Sequence, residues 1–91
     1  MQPIRFSAHA RETMAQRGAI EAEVRDAIAT SPWQPVRAGR FECRKAFAFG
    51  REWNGRMYEL KQVRPIFVDE PTEIVVVTVY AYYLPRGGSQ P

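Results

Sequence analysis

Apolar residues recur at two periods along the chain, and the change of period divides it into a helical part and a strand part. Winding the segment from Phe6 to Arg17 at 100° per residue puts Phe6, Ala10, Met14 and Arg17 on one stripe, with His9 and Thr13 along one edge of it. Ser7 is a suitable N-cap and Gly18 a suitable left-handed stop, so a helix is expected over residues 8–17. A second helix is expected over residues 21–30, where Ile20, Val24, Ala27 and Ile28 share a face and Pro32 prevents continuation. The two form a short helical hairpin.

Beyond Pro35 the period becomes two. Phe41, Cys43, Lys45, Phe47 and Phe49 alternate with Glu42, Arg44, Ala46 and Ala48, as on a strand with one buried face. Asn54-Gly55 is a strong hairpin signal, and a two-residue loop there sets Phe49 opposite Leu60 and Arg51 opposite Tyr58. The next strand, over residues 56–68, contains Pro65, which cannot donate to a ladder and so implies a bulge or an edge. After the turn residues 69–72, IVVVTVYAYY over residues 74–83 is apolar on both faces and is expected to be the middle strand of the sheet. Helix, helix, then strands gives an α+β domain over residues 1–84, with two N-terminal helices packed on one face of a three- to four-stranded antiparallel sheet. The tail, residues 85–91, is expected to fray.

A length of 91 residues supports one modest core, so any site must lie on the face of a single layer. No signal-peptide pattern or long apolar run is present, and the cytoplasm is the default compartment, with no membrane as partner. With one cysteine, Cys43, and one histidine, His9, the chain cannot build a Cys/His zinc site, and neither a structural metal nor a cofactor is expected. Residues 37–64 carry eight basic side chains (Arg37, Arg40, Arg44, Lys45, Arg51, Arg56, Lys61, Arg64) against Glu42, Glu52 and Glu59, within a net charge of +3. Most of the cations are arginine, whose planar fork suits phosphate, a pattern compatible with nucleic acid and equally with arginine enrichment through genomic base composition.

Four features carry candidate chemistry. His9, near a helix N-terminus where the dipole disfavours the imidazolium, is placed for acid–base work, or simply packs at a helix end. Arg17 on an apolar stripe needs either a structural partner, such as Glu59, Glu42 or a backbone carbonyl, or an incoming anion. Lys45 stands where a hydrophobe is expected, unless it snorkels at the sheet edge. Thr78 and Tyr80 share a strand face where hydroxyls could meet a phosphate or merely pack. Phosphate loops, nucleophile elbows and carboxylate metal clusters are absent from the sequence, which disfavours kinases, serine hydrolases and two-metal nucleases. Metal-independent RNA cleavage asks for less: the ribose 2′-hydroxyl attacks, and the protein supplies a proton acceptor, a proton donor and cations.

The run His9-Ala10, Met14, Arg17-Gly18 and Val24, with Val75-Val76-Val77-Thr78-Val79-Tyr80 later, resembles the prokaryotic domain of unknown function 4258 family. Its members open with a HAxxRMxxRG-type helix and close on a VVTVY-type strand. The resemblance implies the fold of the barnase, EndoU, colicin and RelE-like ribonucleases and a role as a toxin, with a small antitoxin or immunity protein as partner. His9, Arg17, Thr78 and Tyr80 fall on motif positions. Thr13 stands where the motif carries arginine, and Ala19-Ile20 replaces Ile-Ser, losing a polar cap for the second helix.

The expectation is therefore an endoribonuclease-type toxin or RNA-binding domain. His9, Arg17, Lys45 and Tyr80 are its catalytic candidates, and Thr78, Arg44, Arg51 and Arg56 its substrate-binding ones. The rival expectation is a non-catalytic module that binds protein or nucleic acid through the free sheet face, with Trp33, Trp53 and Tyr83 as exposed anchors. A weaker third is the neutralising partner of some enzyme. An uncovered sheet edge would make homodimerisation or strand addition easy.

Overall fold

The elements in chain order are β1 (Ile4–Phe6), α1 (Ala8–Arg17), α2 (Glu21–Thr30), β2 (Gln34–Pro35), a 3₁₀ turn (Arg37–Gly39), β3 (Phe41–Glu42), β4 (Lys45–Trp53), β5 (Arg56–Asp69) and β6 (Ile74–Leu84). They are those of a computed structural model that describes residues 2–85, so the expected fraying of the tail falls, after Pro85, outside the described residues. The protein is α+β, with both helices where their patterns place them and a mixed six-stranded sheet. Among the described residues no helix is long and apolar enough to cross a membrane.

The sheet is larger than the three or four antiparallel strands expected. Its order is β1-β6-β5-β3-β2, with β4 also on β5, and β1 runs parallel to β6 through Ile4↔Ile74 and Phe6↔Val76. At three residues β1 is too short for a period to register. The strand expected from Phe41 to Phe49 is broken into β3 and β4. Both halves keep one register on β5, Glu42↔Ile66 and Lys45↔Val63, so the interruption at Cys43-Arg44 falls opposite Pro65 and Arg64. A proline without an N–H accounts for the lost rung.

The turn at Asn54-Gly55 gives Trp53↔Arg56 and Arg51↔Tyr58, as expected. Leu60, however, faces Ala48 rather than Phe49. Gly50, at φ 61, accommodates one extra residue on β4, and the hairpin bends. On β6 the register shifts between Ile66↔Thr78 and Phe67↔Val76, so Val77 is the extra residue. That bulge lets Val76 and Val79 both enter the core while Thr78, Tyr80 and Tyr82 take the opposite face. The middle of the sheet is β5, flanked by β6 on one side and by β3 and β4 on the other, and not β6.

The core lies between the helices and one sheet face. Phe6, Ala10, Met14, Val24, Ala27 and Ile28 meet Val63, Phe67, Val76 and Val79, while α1 runs along β6 and α2 lies over β5. Trp33 closes this core: its ring packs edge-to-face on Phe67 at 4.9 Å and its Nε1 donates to the Ile28 carbonyl. At the hairpin end Trp53 stacks on Tyr83 at 4.8 Å, and the Tyr83 hydroxyl donates to the Arg17 carbonyl. The three aromatics expected as exposed anchors are thus committed to internal packing.

Lys61 is 3% exposed, and its Nζ meets Glu23 at 2.8 Å and the Gly18 carbonyl at 2.9 Å. The carboxylate of Glu23 also accepts from the Ile20 N–H, the half of a capping box that remains when the N-cap has no polar side chain. One buried ion pair therefore joins the end of α1, the start of α2 and the sheet.

Candidate functional site

The edge of β6 beyond β1 would expose backbone groups, and α1 covers them with side chains. Ser7 caps α1 by accepting from the Ala10 N–H, and its hydroxyl donates to the Val77 carbonyl. Thr13 accepts from the Val79 N–H at 3.1 Å, and Arg17 donates to the Val79 carbonyl at 2.8 Å. Both polar groups of the residue paired with Pro65 are thus satisfied by one helix. Thr13 is buried and its hydroxyl donates to the Ala10 carbonyl, so it is fully engaged. Thr13→Val keeps the shape and removes the acceptor, leaving the Val79 N–H buried and unpaired. The expected loss is roughly 1–3 kcal/mol, read as a lower urea midpoint at unchanged slope.

Holding the Val79 carbonyl aims the Arg17 guanidinium at Tyr80, 4.8 Å from the ring centroid. From across the ladder Arg64, the register partner of Tyr80, places its guanidinium 5.0 Å from the same centroid. Arg64 also donates to one Glu42 oxygen through Nε and Nη2, at 3.2 and 2.9 Å, and to the Tyr82 hydroxyl at 2.9 Å. Arg17, Arg64 and the aromatic ring form a rigid cationic corner on the sheet face that the helices leave bare. Val36, Arg37, Arg40, Glu42, Arg64, Ile66 and Tyr80 line a concavity of about 200 Å³ there. Arg37 and Arg40 are exposed, and among the described residues neither guanidinium has an acidic partner.

Hydrogen bonding from Arg64 holds the Glu42 carboxyl below the ordinary glutamate range, against the opposing effect of its burial. The unfolded chain therefore binds a proton here at a higher pH than the folded one does. The contribution is complete above the ordinary glutamate range and is lost as pH falls through the lowered folded value. The wild type should lose stability as pH falls through this window, and Glu42→Gln should remove that part of the pH dependence. Stability measured against pH by denaturant titration checks it. A second concavity, about 320 Å³, shares Glu42 and is lined by Pro32, Gln34, Cys43 and Arg44. Burial, with the Glu42 charge, pushes the Cys43 thiol up to about 12, so it is no nucleophile near neutral pH.

The family model described as Domain of unknown function (DUF4258) matches residues 6–81. The chain belongs to this family. No curated protein and no solved structure matches it.

The DUF4258 match runs from the last residue of β1 through most of β6, so the α1–β6 contact joins its two ends. Thr13, Arg17, Thr78 and Tyr80 meet there, with the Thr78 hydroxyl 3.5 Å from that of Thr13. His9 lies on the same i, i+4 row of α1, exposed, two turns before Arg17 and about 12 Å away along the helix axis. Lys45 is not brought to this corner. It lies on the helix-covered side of the sheet, with Nζ 2.9 Å from Asp26 and 2.8 Å from the Thr30 hydroxyl. Arg51 and Arg56 sit on the β4–β5 hairpin, over the rings of Phe49 and Tyr58, and Arg44 leans on the far oxygen of Glu42 at 3.5 Å.

Arg64 was legible in the sequence only as one of the basic charges of residues 37–64, although it stands next to Pro65 and out of phase with the buried Val63 and Phe67. Arg37 and Arg40 entered only as charges. Glu42 was weighed as a partner for Arg17, and it is Arg64 that it holds.

Proposed function

We propose that this DUF4258 domain binds single-stranded RNA on the bare sheet face, in a RelE-like variant of the α+β fold. The observation that carries the reading is the convergence of Arg17, Arg37, Arg40 and Arg64 on the Tyr80 ring and its concavity. Guanidinium forks take phosphate oxygens, and a base can stack on the outer plane of a guanidinium that itself lies against an aromatic ring. Cleavage is the sharper form of the same proposal. The ribose 2′-hydroxyl attacks the adjacent phosphorus, His9 accepts its proton, and Arg17 and Arg64 neutralise the phosphorane charge while the 5′-oxygen leaves with a proton from solvent or the Tyr80 phenol. Lys45, tied to Asp26 on the other face, has no part in it. In the cell such an enzyme would act as the toxin of a toxin–antitoxin-like system, a role supported by the family resemblance.

The experiment is incubation of the purified protein with single-stranded RNA in excess EDTA. The expected products carry 2′,3′-cyclic phosphate ends, and His9→Ala is expected to lower the rate by at least about a hundredfold with RNA affinity kept. Full activity in His9→Ala overturns its role. A second reading, binding without cleavage, is favoured by the distance along α1 between His9 and Arg17. Tight RNA binding with no products would select it.

A further inference from the structure

The larger concavity opens where the sheet changes partners. β2 pairs with β3 only through Gln34↔Glu42 and Pro35↔Phe41, and β4 begins at Lys45 with β5 as its neighbour. Between them Pro32 and Gln34 stand across from Glu42, Cys43 and Arg44 around about 320 Å³, at the lower end of the size of small-molecule pockets. Its chemistry differs from that of the concavity beside Tyr80. There Arg37, Arg40 and Arg64 outnumber Glu42, whereas here Arg44 alone stands against it. A phosphate therefore belongs among the three arginines, and the larger hollow, close to neutral, offers directional hydrogen bonding instead.

Glu42 is the wall common to both. It is 8% exposed, and its Oε1 accepts twice from Arg64, which uses both lone pairs of that oxygen. Arg44 approaches Oε2 only to 3.5 Å, so Oε2 is left as a charged acceptor in want of a donor. Hydrogen bonding from Arg64 keeps the carboxyl ionised, while burial keeps the Cys43 thiol protonated and adds no second charge. Opposite, exposed Gln34 presents an amide, donor and acceptor together.

We propose that this concavity reads one base of the RNA strand and selects a base carrying an exocyclic amino group over uracil. The inference rests on the RNA reading of the Tyr80 face. A phosphate held among Arg37, Arg40 and Arg64 lies on one side of Glu42, and an adjoining base unstacked from the strand enters the hollow on the other. Oε2 accepts from the amino group, and the Gln34 amide meets the neighbouring ring nitrogen. Cytosine and uracil share one shape and differ at this contact. Cytosine turns its N4 donor toward the carboxylate, and uracil turns its O4 acceptor.

The test measures the affinity of the full chain for labelled octamers of cytidine and of uridine at neutral pH, with 2′-O-methyl riboses that block cleavage. The cytidine octamer should bind about tenfold more tightly. That ratio should fall to about one in Glu42→Gln, whose amide offers a donor as readily as an acceptor, and should fall in part in Gln34→Ala. The ratio is the readout because looser seating of Arg64 in Glu42→Gln lowers both affinities alike. Equal binding of the two octamers by the wild type, or tighter binding of the uridine octamer, overturns the inference and leaves the RNA reading standing. A preference that Glu42→Gln leaves intact does the same. If Glu42→Gln does not fold, Gln34→Ala decides, since Gln34 is exposed and an unchanged ratio there equally overturns the inference. Binding of neither octamer overturns the RNA reading and the inference with it.

Discussion

Arg64→Met should be among the most damaging single substitutions in the protein, because it strands a carboxylate. Glu42 is 8% exposed and receives two hydrogen bonds from Arg64, and its other neighbour, Arg44, approaches only to 3.5 Å. Removing the guanidinium leaves that charge in a poorly hydrated place, and breaking such a pair from one side costs roughly 2–4 kcal/mol where one partner is partly solvated. The Tyr82 hydroxyl loses its donor as well. The cost belongs to the stranded charge and not to the pair, so Glu42→Gln in the Arg64→Met background should recover most of it. Urea unfolding of the two single variants and the double variant measures the coupling. Near-additive losses would show that Glu42 is solvated well enough to stand alone.

Gly18→Ala carries the second large effect, from backbone and packing together. Gly18 has φ 76, and a Cβ there would lie 2.5 Å from the Tyr83 hydroxyl and 2.7 and 2.8 Å from two atoms of the Trp53 ring. The Tyr83 hydroxyl is itself fixed on the Arg17 carbonyl, and Lys61 holds the Gly18 carbonyl, so neither neighbour can move without breaking a contact. The left-handed conformation costs roughly 1–2 kcal/mol with a side chain, and the overpacking about 1–3 more. Gly39→Ala separates the two: Gly39 has φ 70 with nothing within 4 Å of a built Cβ, so it should show the backbone cost alone. The difference between the two urea midpoints, at equal slopes, is the packing cost. Equal losses would mean that Trp53 and Tyr83 yield freely.

What could be read in the sequence depended on how local its cause was. Ser7 and Gly18 bracket α1, and Asn54-Gly55 fixes a two-residue turn, because caps and turns act within a few residues. Pro65 announced a break in the ladder, though only the register shows that the break falls at Cys43-Arg44. The bulges at Gly50 and Val77 did not announce themselves. Each depends on what the neighbouring strand requires, and the second reverses which β6 side chains face the helices.

The candidate site divides in the same way. Arg17 and Tyr80 were legible as polar groups out of place in apolar patterns, and they meet. Lys45 was legible for the same reason, yet α2 supplies its partners Asp26 and Thr30, which no strand pattern could reveal. The anomaly of Arg17 resolves into a structural bond to Val79 that leaves the guanidinium beside Tyr80. Thr13, which removes a cation from the motif, gives in return a hydroxyl that satisfies Val79 from the other side.

The most direct test of RNA binding at the Tyr80 face is the salt dependence of affinity for a labelled single-stranded RNA, wild type against the Arg37→Ala/Arg40→Ala double variant. Both side chains are exposed, so the fold should be retained. Two lost phosphate contacts should weaken binding at low salt and lower the slope of log K against log salt by about 1.4, with the remaining slope carried by the other cations. Identical affinity and slope in the two proteins, or no RNA binding by either, would contradict the account.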